Sequence, residues 1–286
     1  MRGDLLPVVL RGLPVAEAVL KLGLFGRPVS HSRSPRLFSR LGRLLKRSIS
    51  YEAVEVRDLP AAVAAARAKG WRGASVTVPL KQEAAALAGR LTPAARALGV
   101  VNVLRFSGGV VGHNTDAEGL RDALRDAGVK IRGKSALVFG AGGAARAAGG
   151  ALAREGARKI RICARTAPRA RAAARALAPH FPRAAFSSGA AAAADIWVNA
   201  TPLGMKGFPD RSPAPKGLRS PESAIDLVYG RRTAFQRDAA ARGAPVADGS
   251  AMLVHQALRA WEFWDKPLGA RRRAALAAPL LKEVLS

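Results

Sequence analysis

Cysteine is almost absent from this 286-residue chain, which has only Cys163. One thiol forms no internal disulfide, which excludes a disulfide-stapled module and suits a reducing compartment. Cys163 ends the apolar run 160–163 and reads as a small buried hydrophobe rather than a catalytic thiol. Acidic residues are also scarce, 20 against 47 basic ones, for a formal net charge of +27. The basic residues are mostly Arg and are scattered among Ala and Gly. With no basic block and no aromatic-studded basic strand, specific nucleic-acid binding is not expected. The field should still draw in an anionic substrate and a phosphorylated cofactor. No apolar run approaches the roughly 18 residues of a spanning helix. The first 23 residues, broken by Asp4, Arg11 and Glu17, hold no signal-peptide core. A cytoplasmic protein without membrane attachment is expected. No group of His, Cys or acidic residues has metal-ligand spacing, so no metal is expected either.

What remains is an α/β chain. Apolar strand candidates fall at 22–25, 51–56, 74–78, 100–104, 136–139, 159–163, 196–199 and 224–227, with helical patterns between them. Ser34-Pro35 reads as an N-cap followed by proline at the first helical position, and Asp58 with Pro60 starts an alanine-rich helix to Lys69. A helix over 116–127 should stop at Gly128. Helices are also expected over 143–154, 251–264 and 270–285. The alanine run 190–194 and the Pro-rich stretch 209–221 read as connecting segments.

The stretch Ala136-Leu-Val-Phe139 runs directly into Gly140-Ala-Gly-Gly-Ala-Ala-Arg146, which fits G-x-G-x-x-A between a buried strand and a helix. The first glycine makes the turn, the second lets backbone approach a pyrophosphate, and the helix N-terminus binds phosphate. Gly140, Ala141, Gly142, Gly143 and Ala144 are therefore candidate cofactor contacts. The next strand ends Cys163-Ala164-Arg165-Thr166, with Arg169 following, and lacks the acid that would bind the ribose hydroxyls of NAD. An arginine there can pair with a 2′-phosphate, which selects NADP and makes Ala164, Arg165, Thr166 and Arg169 candidates. Asn199-Ala200-Thr201 follows another strand and should line the nicotinamide ribose side, with Leu227, Gly249 and Met252 nearby.

Roughly 115 residues of α/β pattern precede the glycine loop, enough for a domain. Within them, Gly73-Ala-Ser-Val-Thr-Val-Pro-Leu-Lys81 and Asn114-Thr-Asp116 place Lys81 and Asp116 at strand ends. A lysine–carboxylate pair facing a nicotinamide site can move a proton as a hydride moves, which points to alcohol/ketone redox. Gly26-Arg-Pro-Val-Ser-His-Ser-Arg-Ser-Pro35, the 73–81 stretch, Val101-Asn102, Gly112-His-Asn-Thr-Asp116, Asn199-Ala-Thr-Pro202 and Met252-Leu-Val-His-Gln256 together resemble the motifs of the shikimate dehydrogenases, in the same order. The resemblance spans about residues 22–286. It implies NADP-dependent interconversion of 3-dehydroshikimate and shikimate, a step towards aromatic amino acids.

The resemblance also implies a division of labour along the chain. Residues 1–20 would be an extension and 21–117 a substrate-binding catalytic domain. Residues 118–248 would be a Rossmann-type NADP domain, and 249–286 helices returning to the first domain. Helix 116–128 and the stretch near Gly249 would cross between the lobes. Ser32 and Ser34 would hold the substrate carboxylate with Tyr229 nearby, Thr77 and Asn102 would bind ring hydroxyls, and Gln256 would donate from the C-terminal helix. Lys81 and Asp116 would flank the reacting C3 oxygen, either being the formal base. His31 receives no role. Ser75 stands where the family usually has Asn, Val103 where Thr is frequent, Gln82 where Glu is common and Ala251 where Gly is usual. Alternatives are a quinate/shikimate dehydrogenase with relaxed substrate or cofactor choice, and a non-catalytic nucleotide-binding paralogue. The partners expected are small molecules, for a monomer or homodimer.

Overall fold

The structure, a computed structural model, describes residues 18–285. Most of the expected N-terminal extension therefore lies outside the described residues, and Leu20 already opens the first strand. The first half runs β1 (Leu20–Gly26), α1 (Ser34–Leu45), β2 (Ile49–Glu55), α2 (Leu59–Ala68), β3 (Gly73–Val76), α3 (Lys81–Leu87), β4 (Arg90–Leu91), α4 (Pro93–Leu98), β5 (Val103–Arg105) and β6 (Val111–His113). Its sheet has the order β2-β1-β3-β5-β6-β4. It is parallel on the β2–β1–β3 side and turns antiparallel at β5.

Local chemistry explains several boundaries. Asp58 accepts the Ala61 N–H at 2.9 Å and Pro60 occupies the first turn of α2, as its sequence indicates. At α1 the expectation shifts by one residue. Ser34 is the first helical residue, and the capping oxygen is that of Ser32, which accepts the Ser34 N–H at 3.2 Å. The segment expected as a strand over 100–104 joins the ladder only from Val103. Its first part spends its hydrogen bonds elsewhere: Val101 N–H donates to the Lys81 carbonyl at 2.9 Å and Asn102 N–H to the His113 carbonyl at 3.1 Å. That detour carries the chain past the start of α3.

Helix α5 (Asp116–Asp126) leads to the second half: β7 (Ser135–Phe139), α6 (Gly143–Arg154), β8 (Lys159–Cys163), α7 (Ala167–Leu177), β9 (Ala185–Ser188), β10 (Ile196–Asn199), β11 (Ser223–Asp226), α8 (Ala234–Ala241) and β12 (Val246–Ala247). All pairs in this sheet are parallel, in the order β12-β11-β10-β7-β8-β9. The chain direction of winding reverses between β7 and β10, the position at which doubly wound sheets bind ligands beyond their carboxyl ends. Strands β7 and β10 are buried nearly throughout, as strands covered on both faces must be.

Helices α9 (Ser250–Trp264) and α10 (Gly269–Leu285) close the chain. They share a core with β1 and α1, built from Leu22, Phe38, Leu41, Leu258, Trp261 and Leu280. Trp264 fixes this packing: its indole N–H donates to the Leu104 carbonyl at 2.8 Å and its ring lies 5.5 Å from that of Phe38. Helices α5 and α9 pack along one another between the two sheets.

Candidate active site

Lys81 and Asp116 meet. Lys81 Nζ donates to Asp116 Oδ2 at 2.5 Å, and the two side chains are 16% and 8% exposed, shielded from bulk water but not sealed. An ion pair so placed is stronger than one on the surface. The positions differ slightly from the expected strand ends. Lys81 is the first residue of α3 and Asp116 the first of α5, each a few residues beyond β3 and β6. Asp116 could have served as the cap of its own helix. Instead Asn114 does so, accepting the Ala117 N–H at 3.1 Å, which leaves both Asp116 oxygens for the site. Asp116 Oδ1 accepts Asn102 Nδ2 at 2.9 Å, and Asn102 Oδ1 in turn accepts the Thr115 N–H at 2.7 Å. Asn102 Nδ2 also reaches Gln256 Oε1 of α9 at 3.5 Å. Four separate parts of the chain thus converge on one polar cluster. Thr77 stands half-buried after β3, its N–H bonded to the Phe25 carbonyl at 2.8 Å.

A second polar cluster lies at the start of α1. Ser32 sits on a turn closed by its N–H to the Val29 carbonyl at 3.0 Å, next to the buried Ser34. Tyr51 donates its hydroxyl to Ser75 Oγ at 2.9 Å, beside Ser34. Ser75, one of the departures from the family pattern, therefore holds a tyrosine. Burial pushes the Tyr51 phenol well up, outweighing the downward pull of Ser75 and Ser34, so it is a neutral donor. Tyr229, after β11, approaches from the other half. Burial raises its pKa too, with the Arg33 N–H and guanidinium pulling down. The chain has only two tyrosines, and both stand by these serines. His31 is exposed.

The glycine loop faces the first cluster. A Cβ on Gly143 would fall 2.9 Å from Cδ of Lys81, so the first turn of α6 and the lysine are in direct contact. Gly140 has φ +115°, and a Cβ there would lie 2.7 Å from the Ala200 carbonyl. Only glycine lets the loops after β7 and β10 meet this way. A Cβ on Gly142 would touch nothing, which leaves that backbone open to a pyrophosphate. Ala141 and Ala144 flank it, both half-buried. Arg165, Thr166 and Arg169 are exposed beyond β8, beside half-buried Ala164 and with no acid among them. These residues fit a 2′-phosphorylated dinucleotide: a glycine cradle, a free helix start and two exposed guanidinium groups at the adenosine end.

Two expected cofactor contacts, Asn199 and Gly249, are buried beside the cradle. Asn199 is wholly buried, and its groups are consumed internally. Its Nδ2 donates to Asp226 Oδ1 at 2.9 Å, and its Oδ1 accepts from Thr201 Oγ1 at 2.6 Å. It shapes the Ala200-Thr201 turn. Gly249 is likewise buried, and a Cβ there would fall 2.3 Å from the Leu227 carbonyl oxygen, so it serves packing. Leu227 and Met252 border the same core. Cys163 is half-buried with its thiol pKa raised by burial, in keeping with an unreactive side chain. Sequence reasoning missed Tyr51, Asn114, Thr115 and Asp226. Asn114 and Thr115 lay within the stretch already marked at 114–116, whereas no pattern marked Tyr51 or Asp226.

A family model described as the shikimate dehydrogenase substrate binding domain matches residues 24–104. Shikimate dehydrogenase (NADP(+)) of Rubrobacter xylanophilus is 42% identical over 269 residues, covering 88% of this chain and 94% of that protein. The corresponding protein of Methylobacillus flagellatus is 37% identical, covering 89% and 99%. The crystal structure of Thermus thermophilus shikimate 5-dehydrogenase in complex with NADP(H) and shikimate superposes with a TM-score of 0.78 at 35% identity, covering 91% of this chain and 99% of that one. Quinate dehydrogenase from Corynebacterium glutamicum, in complex with NAD, gives 0.81 at 28% identity, covering 93% and 99%. A paired lysine and aspartate, a glycine cradle facing them, and relatives alike over nearly their whole length agree: this chain belongs to the shikimate dehydrogenase family.

Proposed function

We propose that this protein catalyses the reversible NADP-dependent reduction of 3-dehydroshikimate to shikimate, in the pathway to aromatic amino acids. The observation that carries the reading is the Lys81–Asp116 pair, held by Asn102 and in contact with the glycine loop. When bound, NADP supplies the nicotinamide carbon that gives or takes the hydride. Residues 21–117 with 249–286 form the substrate domain, and 118–248 form the NADP domain. Gly140, Ala141, Gly142, Gly143 and Ala144 hold the pyrophosphate, and Ala200 and Thr201 border the nicotinamide ribose with Leu227 and Met252. Ala164, Arg165, Thr166 and Arg169 receive the 2′-phosphorylated ribose.

In the reductive direction Lys81 donates a proton from Nζ to the C3 carbonyl oxygen, and Asp116 keeps the ammonium aimed at it. In the oxidative direction the pair takes the hydroxyl proton back. Thr77, Asn102 and Gln256 fix the ring hydroxyls, so the C3 oxygen alone reaches the pair. Ser32, Ser34 and Tyr229 hold the carboxylate at the far end of the ring. Closing of the lobes around the ring removes water and strengthens each of these contacts. The protein works in the cytoplasm on small molecules, as a monomer or homodimer. Among the described residues no helix is long and apolar enough to cross a membrane.

The test is absorbance at the reduced-nicotinamide band with purified protein, shikimate and NADP, with quinate and NAD run in parallel. The reading requires turnover with shikimate and NADP that exceeds turnover with quinate or NAD. Faster turnover of quinate would transfer the assignment to the sister activity. No turnover of either acid would leave a nucleotide-binding paralogue.

A further inference from the structure

Arg33, between the two serines of the α1 cluster, has no place in the reading so far. Its side chain leaves the first half of the molecule and lies against the second: a Cβ on Gly230 would come within 3.4 Å of Arg33 Nη2 and 3.6 Å of its Cζ. Its backbone N–H and its charge both act on Tyr229. Yet Nη1 of this guanidinium is buried and has no hydrogen-bond partner among the described residues. A buried cation nitrogen without a partner is costly, and such groups are normally matched by an anion. The groups the structure shows beside it are neutral: Ser32 and Ser34 adjoin it in sequence, and the Tyr229 phenol lies on the other side. The missing partner is thus an anion brought in from outside.

Resting on the functional reading above, we infer that Arg33 is a further substrate-binding residue, whose guanidinium pairs with the carboxylate of the bound hydroxy acid. Guanidinium and carboxylate match as a planar fork, and the pair forms where both lobes contribute atoms. Hydroxyls alone would favour a carboxylate over an uncharged ester only modestly. Arg33 makes the site prefer the acid, and it ties the arrival of that acid to contact between the α1 and β11 sides of the cleft. The interaction is the same in the ground state and the transition state, because the carboxylate takes no part in the chemistry. Its loss should therefore appear in KM and leave kcat alone.

The experiment compares the full-length protein with Arg33→Met, which keeps length and loses charge, and Arg33→Lys, which keeps charge and loses the fork. Steady-state constants are measured at saturating NADP for shikimate and for shikimate methyl ester, and the Kd of shikimate is measured by calorimetry. Arg33→Met should raise KM and Kd for the acid by about 10- to 100-fold, the worth of a charge-assisted hydrogen bond, with kcat and the ester constants little changed. The acid-over-ester preference then collapses. Arg33→Lys should fall between, and it carries the same comparison should Arg33→Met not fold. Equal losses on acid and ester, or no loss on either, would overturn the assignment. A parent protein that does not turn over shikimate would instead overturn the functional reading, and calorimetry with the acid still reports on Arg33.

Discussion

Asp116 can face Lys81 because Asn114 relieves it of capping duty. Asn114 is fully buried, accepts the Ala117 N–H and donates from Nδ2 to the Val100 carbonyl at 3.2 Å. Asn114→Ala should cost about 1–2 kcal/mol of stability, read from denaturant unfolding, because a cap is lost and a buried carbonyl is orphaned. At the adenosine end, Arg165→Ala should raise KM for NADP about tenfold or more while leaving NAD unaffected, since only NADP presents a phosphate to it. Equal loss with both cofactors would remove the 2′-phosphate role. At this scale the sequence was informative where chemistry sets residue type. The lysine, the aspartate and the glycine loop stand out because no neutral substitute does their work. The internal bonds of Asn199 to Asp226 and Thr201 were not legible, because a polar residue after a strand looks the same whatever its side chain binds. Tyr51 was silent because its place in a β-strand explains it without any site.

The crossing helix α5 is fastened to α6 by one glutamate. Glu155 accepts Arg121 Nε at 2.7 Å and Arg125 Nη2 at 2.8 Å. Burial pushes its pKa up, but the two arginines outweigh burial and hold it below the ordinary value. A carboxyl depressed in the folded state contributes stability above its unfolded pKa of about 4.3, and that stability is lost as pH falls through the folded value. Unfolding free energies of the parent and Glu155→Gln should thus differ at pH 7 and converge as the pH falls through the lowered folded value. On the return path, Trp264→Ala should cost about 3–5 kcal/mol, since it empties a buried site beside Phe38 and removes the indole hydrogen bond to the Leu104 carbonyl. The long elements were legible because periodicity and caps repeat across them: α6 spans 143–154 as expected, and Gly128, φ +65°, follows α5. The strands β4 and β12 have two residues each, too short to show any alternation. Helix α7 was hidden by its many arginines.

Across the whole molecule, two sheets of six strands meet through α5, α9, the packing of α4 on α6 and α7, and the loops around the cleft, and the +27 charge surrounds a site built for anions. A field of that size acts through solvent and is screened over about 8 Å at physiological salt. Raising salt from about 0.02 M to 0.5 M should therefore raise KM for both the acid and NADP while kcat changes little, by stopped assays at fixed pH. A salt-independent KM would mean the charge has no part in capture. The two-half plan could be inferred because the glycine loop comes after a domain's worth of α/β pattern. The contact of Gly143 with Lys81, and the reach of Arg33 to Gly230, could not be, since both depend on how one half settles against the other.

The pair of Lys81 and Asp116 is tested most directly by a kinetic cycle: kcat for shikimate oxidation in Lys81→Ala, Asp116→Asn and the double variant, with shikimate Kd measured alongside. If the two groups share one proton-handling task, each single change lowers kcat by about 10²- to 10⁴-fold with modest change in Kd, and the double variant is scarcely worse than the poorer single one. Single variants that keep kcat within about threefold of the parent, or a double variant whose loss equals the product of the two, would contradict a jointly acting pair.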